Sequence, residues 1–287
     1  MAHRSLVAVV LATAAIAMQS APTLHAERLE PESLAGWTTY VHATEGRLAR
    51  ELGDGRRFLG IDFDSDAAAE RKAVLGGQIV LRRLEVSSVN DRPIDVSSAR
   101  VHHWRGAVFV PGATLADLLA ELRRNAPPAG QDDVLASRVL ERGPDRMKVY
   151  LKLQRRKIVT VVFNTEHVVT FNTYGPSRAS TVSVATKIAE LENPGTAEER
   201  ERPQGDDRGF LWRLNAYWRY EQVAGGVIAE CESISLSRDA PALVRYVVEP
   251  VIESTARESI ERALTAFRAR FTAQPEMQRA PSRAPSP

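Results

Sequence analysis

Residues 134–239 form a nearly continuous series of strand-like segments separated by turns, and one long amphipathic helix follows them near the C-terminus. Strands grouped in one part of a chain and helices in another are typical of an α+β domain. A sheet that ends by gripping a single helix tends to enclose a space rather than a solid core. The sequence therefore predicts an α+β fold with an internal cavity.

The strand series begins with five segments, which are residues 134–141, 147–154, 157–164, 167–174 and 181–191. The clearest hairpin follows, with strands at residues 210–223 and 227–237 and Gly225-Gly226 as the turn. Side chains alternate between the two faces of a strand. One face of the first hairpin strand is therefore predicted to carry Trp212, Leu214, Ala216, Trp218 and Tyr220.

Three helices are predicted from apolar residues at helical spacing. The first spans residues 30–52, with Leu34, Trp37, Val41, Leu48 and Leu52 near one face. A strand at residues 100–110 precedes the second helix, which Thr114 caps. An apolar segment at residues 241–249 precedes Pro250, and Thr255 with Glu258 forms a capping box for the last helix. The apolar face of that helix comprises Ile260, Ala263, Leu264, Phe267 and Phe271.

Both ends of the chain have the composition of non-domain segments. Residues 1–26 resemble a secretory signal peptide, with a short positive start, an apolar run and a cleavage site after Ala26. We therefore expect a periplasmic or secreted protein. Residues 27–99 would form an N-terminal helical and strand extension, and residues 100–273 the main domain. Residues 274–287 are rich in Pro, Ala, Ser and Arg, which predicts a disordered tail.

Composition argues against several classes of function. The net charge is +2 with both signs interspersed, so no basic face for nucleic acid is expected. Cys231 is the only cysteine, and its position in an alternating strand favours a buried small side chain. No histidine, cysteine or carboxylate spacing supplies the three or four ligands of a zinc site. We predict no metal and no cofactor.

The order of strand, helix, antiparallel strands and long terminal helix from residue 101 to residue 271 resembles the START-like superfamily, also called SRPBCC or helix-grip. The segment HHWRGAVFVPGATLADLLAEL is similar to the opening strand and first helices of that superfamily. The segment GFLWRLNAYWRYEQVAGGVIAECESISLSRD is similar to its last hairpin. The resemblance implies a curved antiparallel sheet that wraps the C-terminal helix and encloses a hydrophobic tunnel.

The same resemblance implies binding of a hydrophobic small molecule such as a lipid or isoprenoid, for sequestration or transfer. The cavity lining would then include Trp104, Phe109, Trp212, Leu214, Trp218 and Tyr220. The alternative for these residues is a solid core. The loop at residues 193–209 is predicted to be a solvated connection, with a mobile flap over the cavity mouth as the alternative. The oligomeric state is left open.

Polar residues on the strands allow other functions. Glu230 and Glu232 share one face of a strand, and Arg213 and Arg219 share a face of its neighbour. We expect these charges to stabilise a solvated sheet surface, with a polar patch inside the cavity as the alternative. We assign no catalytic residue. If the protein were a cyclase or hydrolase, His102 or His103 beside one of these glutamates would be the acid-base group.

Two further readings stay open. His167 is predicted to lie at the sheet surface or on the cavity wall. The basic run at residues 154–157 is predicted to be a charged hairpin turn, with contact to an anionic membrane or polymer as the alternative. A protein with a filled core that serves in interactions is the third function class.

Overall fold

The structure, a computed structural model, describes residues 29–87, 92–127, 133–156, 160–203, 207–239 and 245–272. The predicted signal peptide and the predicted tail lie outside these ranges. Four α-helices are described: α1 (Pro31–Leu52), α2 (Ala67–Leu75), α3 (Leu115–Arg124) and α4 (Arg245–Thr272). A 3-10 helix (Gly60–Phe63) lies between α1 and α2.

Within the described residues, nine antiparallel strands form one curved sheet. They are β1 (Val80–Arg83), β2 (Ala99–Pro111), β3 (Val134–Arg142), β4 (Arg146–Arg156), β5 (Thr160–Thr173), β6 (Arg178–Glu192), β7 (Arg200–Glu201), β8 (Arg213–Val223) and β9 (Gly226–Arg238). The spatial order is β1-β2-β9-β8-β6-β5-β4-β3, and β7 pairs with one end of β6. Strands β1 and β3 are therefore the two edges of this order.

The C-terminal helix α4 packs on the concave face of the sheet. Ile260, Leu264, Phe267 and Phe271 of α4 lie in one cluster with Val108 of β2 and its neighbours. Gly106 permits this close approach, because an added Cβ there would lie 2.6 Å from Leu264 Cδ1. The predicted α+β helix-grip fold is confirmed.

The N-terminal helix α1 packs on the opposite face of the same sheet. Trp37, Tyr40 and Leu48 of α1 are buried against Ile234 and Leu236 of β9. The predicted span of α1 is confirmed, but its buried face is rotated from the predicted one, since Leu34 is 39% exposed. The sheet between α1 and α4 is therefore covered on both faces.

Two predicted boundaries are wrong. Residues 160–173, which come from the segments predicted at residues 157–164 and 167–174, form a single strand, β5, because no turn residue interrupts them. Pairing shifts between Glu166 and His167, whose partners on β6 are Lys187 and Ala185, so Thr186 is an extra, bulged residue. Helix α4 continues through Pro250, since the loss of one backbone hydrogen bond there does not divide a helix that packs on the sheet.

The β8–β9 turn is displaced by one residue from the predicted position. Val223 pairs with Gly226, so the two turn residues are Ala224 and Gly225. Gly225 has φ +79°, which suits glycine. The predicted cap of α3 is confirmed, because Thr114 Oγ1 accepts a 3.1 Å hydrogen bond from Asp117 N. Within the predicted N-terminal extension, residues 80–83 form strand β1.

Candidate functional site

A partly enclosed cavity of about 780 Å³ lies between the concave face of the sheet and helices α3 and α4. Its walls are strands β4, β5, β6 and β8, and α4 closes it on the side opposite the sheet. Most of the lining is apolar. The apolar residues include Leu122, Met147, Val149, Leu151, Leu153, Val169, Phe171, Leu214, Ala216, Trp218, Ala263, Ala266 and Phe267.

The cavity exists because the α4 residues that face it are small and leave a gap between the helix and the sheet. Ser259, Ala263 and Ala266 recur at helical spacing and line the cavity. Their side chains are too short to reach the wall formed by β4 and β5. Toward β8 the gap closes, where the rings of Trp218 and Phe267 stack with centroids 4.9 Å apart. The space is therefore widest under β4 and β5.

Three polar side chains stand on the sheet floor of the cavity. They are His167 of β5 and Thr181 and Ser183 of β6. His167 Nε2 lies 2.9 Å from Thr165 Oγ1, and its Nδ1 lies 3.5 Å from Ser183 Oγ. Burial lowers the pKa of His167 to about 4, so its ring is neutral at physiological pH. Thr181 Oγ1 is 3.2 Å from the Tyr220 hydroxyl.

Charged residues stand at the rim, and they are paired with one another. Asp133 Oδ2 lies 3.0 Å from Arg155 and 3.1 Å from Arg262 of α4. Arg270 of α4 forms a 2.8 Å ion pair with Glu121 of α3. Arg155, which we predicted to lie in a charged hairpin turn, therefore contributes to the cavity rim. Residues 157–159, which complete that hairpin, lie outside the described ranges.

The structure places the six predicted lining residues in three different environments. Leu214, Trp218 and Tyr220 line the cavity. Trp104 faces the same side of the sheet but packs in the core that α4 covers. Phe109 and Trp212 lie on the opposite side of the sheet. Contact with a ligand stays a prediction for the three that line the cavity.

The positions of Phe109 and Trp212 follow from strand geometry. Phe109 is five residues from Trp104 on the same strand, so the two side chains point to opposite faces. Trp212 precedes β8, which begins at Arg213, and the alternation of the strand does not extend to it. It packs instead against Tyr217 and Trp37 under α1. The prediction that Trp212 shares a face with Leu214 and Trp218 is wrong.

Sequence reasoning missed the wall formed by β4. Met147, Val149, Leu151 and Leu153 all line the cavity, and Lys148, Tyr150 and Lys152 alternate with them. That alternation was readable as an apolar inner face and a polar outer face. The prediction of lining residues relied instead on the aromatic residues of the β8–β9 hairpin.

The strand carboxylates Glu230 and Glu232 are buried under the N-terminal segment, with exposed fractions of 1% and 2%. They lie on the sheet face opposite the cavity. Both predicted placements, a solvated sheet surface and a patch inside the cavity, are therefore wrong. We call the side chains that surround them the buried charged network: Arg47, Glu51, His103, Arg105, Arg219, Glu230 and Glu232.

Glu232 is held in its ionised form by the network. His103 Nε2 lies 2.8 Å from Glu232 Oε1, and Arg47 of α1 also pairs with this carboxylate. Burial opposes ionisation, but the hydrogen bond from His103 and the charge of Arg47 outweigh it and lower the pKa of Glu232 to about 2. The Tyr40 hydroxyl, 2.9 Å from His103 Nδ1, completes the chain of contacts from α1 to β9.

Glu230 binds the backbone of the segment that follows α1. Its two oxygens accept hydrogen bonds of 2.6 Å from Gly60 N and 2.9 Å from Ile61 N. Burial raises the pKa of Glu230, against the opposing charges of Arg219 and Arg105. Arg219 donates to Phe58 O at 2.8 Å and to Glu51 at 2.5 Å. The network thus joins α1 and the 3-10 helix to the sheet.

The two neighbouring histidines lie on opposite faces, as the strand period predicts. His102 Nε2 is 3.0 Å from Ser237 Oγ, and burial lowers the pKa of His102 to about 4. Neither His102 nor His103 lines the cavity. Among the described residues no group of three or more His, Cys, Asp or Glu side chains could hold a metal ion.

The loop at residues 193–209 contacts the face of the sheet opposite the cavity. Glu199 forms a 2.7 Å ion pair with Lys152, and Glu201 one with Lys187. None of the described residues of this loop lines the cavity. The flap alternative therefore has no support in this part of the chain.

Cys231 lies between the two network glutamates in sequence but on the other face of β9. It is buried in the cluster that α4 covers, as predicted. Burial raises the pKa of its thiol. No helix in the described ranges is long and apolar enough to span a membrane.

Comparison with known proteins gives matches among solved structures alone. No family model and no curated protein sequence matches the chain. A STAR-related lipid transfer protein from Xanthomonas axonopodis is 18% identical at TM-score 0.39, and the match covers 62% of this chain and 95% of that one. The lipid transfer and protein localization domain of human StarD13 is 11% identical at TM-score 0.38, covering 73% of this chain and 98% of that one.

An aromatase/cyclase from Streptomyces is also similar, with 14% identity at TM-score 0.35, covering 60% of this chain and 94% of that one. The fold assignment rests on the strand order, the antiparallel pairing and the helix on the concave face. By these features the chain has the START-like helix-grip fold.

Proposed function

We propose that this protein binds a hydrophobic small molecule in the cavity between the sheet and α4, and that it sequesters or transfers that molecule. The observation that carries the proposal is the largely apolar cavity of about 780 Å³. Ligand sites in proteins have volumes of roughly 300–1,000 Å³, with apolar walls and a few placed polar groups. A filled core, the alternative from the sequence, would leave no such space.

Burial of apolar ligand surface would drive binding. Each Å² of apolar surface removed from water contributes about 25 cal/mol, so a ligand that buries about 300 Å² gains roughly 7 kcal/mol. Part of this gain offsets the lost freedom of the ligand. The paired charges at the rim, Asp133 with Arg155 and Arg262, leave the interior free of unpaired ions.

A catalytic function has less support than binding. The acid-base residues that the sequence suggested, His102 or His103 with Glu230 or Glu232, all lie outside the cavity lining. His103 and Glu232 do form a pair, but α1 covers them. Their arrangement accounts for packing of the N-terminal helix and supplies no group to a bound molecule.

The first test is native mass spectrometry of the purified protein, followed by organic extraction. We expect a co-purifying apolar molecule that is released on denaturation. Replacing Ala216 by tryptophan places an indole in the cavity beside Leu214 and Trp218, so we expect the variant to lose the bound molecule. Ala69→Trp adds the same group on the exposed side of α2 and should retain it.

The proposal fails if the wild-type protein shows a clean apo mass and no thermal shift with any apolar compound. Equal ligand occupancy in the Ala216→Trp and Ala69→Trp variants would place binding elsewhere on the molecule. Circular dichroism of both variants controls for folding.

The proposal includes export, as residues 1–26 suggest. We expect the protein recovered from the cell envelope or medium of its host to begin at Glu27, because cleavage after Ala26 removes the apolar run. Intact mass measurement of fractionated cells tests this. Full-length protein confined to the cytosol would contradict it.

A further inference from the structure

His167 is the one imidazole among the described residues that line the cavity, and its hydrogen bonds determine which nitrogen is available there. Thr165 Oγ1 donates its proton to Leu151 O at 3.1 Å. Toward His167 this hydroxyl oxygen can therefore only accept. The 2.9 Å contact with His167 Nε2 then requires the proton on Nε2, which leaves Nδ1 as an acceptor.

The acceptor nitrogen lies next to the hydroxyl of Ser183, a residue that lines the cavity. Thr165, which binds Nε2, does not line the cavity, whereas Ser183, next to Nδ1, does. The distance from Nδ1 to Ser183 Oγ is 3.5 Å, at the limit of a hydrogen bond. Nδ1 therefore retains capacity to accept a hydrogen bond, and the Ser183 hydroxyl retains capacity to donate one.

An acceptor beside a hydroxyl matches the chemistry of an alcohol, which both donates and accepts. We propose that His167 Nδ1 and Ser183 Oγ form a subsite for the hydroxyl group of a neutral, otherwise apolar ligand. This inference rests on the proposed function and specifies its ligand class. A ligand carboxylate is disfavoured at this position, because it has no proton to donate and its charge would face the lone pair of Nδ1. An ether or hydrocarbon would leave the acceptor unsatisfied.

The surroundings of the subsite agree with this assignment. The neighbours of His167 across the sheet are Val149 on β4 and Ala185 on β6, so no cation lies beside it on either strand. The arginines of the cavity stand at the rim and are already paired with Asp133 and Glu121. The floor therefore provides neutral hydrogen bonds only.

The test is competition against N-phenyl-1-naphthylamine, a neutral apolar fluorophore, by 1-dodecanol, its methyl ether and dodecanoate. In the His167→Leu and Ser183→Ala variants we expect dodecanol to bind about five- to tenfold more weakly than in the wild type. The methyl ether, which cannot donate to Nδ1, should bind the His167→Leu variant as well as it binds the wild type. Thr265→Ala is the matched control, because Thr265 is also a lining residue but its hydroxyl donates to Glu261 O of its own helix at 2.8 Å.

The outcomes separate this inference from the proposed function. If the fluorophore binds but His167→Leu weakens dodecanol and its ether equally, or neither variant weakens dodecanol, the subsite is wrong and the cavity stands. If dodecanoate binds the wild type most tightly, the hydroxyl assignment is also wrong. If neither the fluorophore nor any competitor binds, both proposals fail. Ser183→Ala removes a single oxygen, so it keeps the test decisive if His167→Leu does not fold.

Discussion

Replacing Arg219 by alanine should lower the free energy of unfolding by about 3–5 kcal/mol, which is typical of breaking a buried ion pair from one side. Arg219 is 3% exposed and binds Glu51, Phe58 O and, at 4.0 Å, Glu230. Its removal leaves two carboxylates without their shared cation under α1. Urea or thermal unfolding followed by circular dichroism measures the loss.

Arg213 provides the control for this prediction. It lies on the same strand and the same face as Arg219, but it is half-buried and its hydrogen bond goes to Trp212 O. We expect Arg213→Ala to change the free energy of unfolding by about 0.5 kcal/mol or less. Similar losses for the two variants would show that the buried charged network contributes no more than a surface charge.

Replacing Glu232 by glutamine should remove a contribution to stability that depends on pH. The pKa of Glu232 is about 2 in the folded protein, against 4.5 as its ordinary value. The contribution is therefore fully present above about pH 4.5 and is lost as the pH falls toward 2. Its size is about 3 kcal/mol, from 1.36 kcal/mol for each pKa unit.

The measurement is the free energy of unfolding of wild type and Glu232→Gln at several values between pH 7 and pH 3. We expect a large difference at pH 7 that narrows steadily below pH 4.5. Glu199→Gln, which breaks a partly exposed ion pair with Lys152 at the surface, should cost about 0–1 kcal/mol. A difference that stays constant down to pH 3 would mean that Glu232 stabilises the fold through packing rather than through its charge.

The sheet and helices α3 and α4 were predictable because local signals encode them. Alternating side chains mark β4 and β8, Thr114 caps α3, and the apolar stripe from Ile260 to Phe271 marks α4. Each of these signals acts within a few residues. The merged strand β5 was missed because a bulge on β6, at Thr186, keeps it paired without any turn residue.

The position of the N-terminal segment was not predictable in this way. Glu230 and Glu232 alternate with Cys231 in β9, a pattern that normally marks a solvated face. Their burial depends on partners about 170 residues away, such as the backbone of Gly60. Nothing in the local sequence of β9 indicates a covering helix. The cavity lining was predicted only in part for a related reason. The position of α4 determines which residues on the inner face of the sheet line the cavity and which pack against the helix.

Helices α1 and α4 cover both faces of only one part of the sheet, so the two parts should differ in stiffness. Strands β2, β8 and β9 are clamped between α1 and α4, whereas β4 and β5 have the cavity behind them and the polar residues Lys148 and Glu166 on the solvent side. The buried apolar cluster on that wall, Met147, Val149 and Phe171, is smaller than the cluster that α4 covers, so we expect opening of the wall to cost less free energy than opening of the covered side. We therefore expect the strands between the two helices to be the stiffer half of the sheet, and the cavity wall to be the half that a ligand would displace on entry.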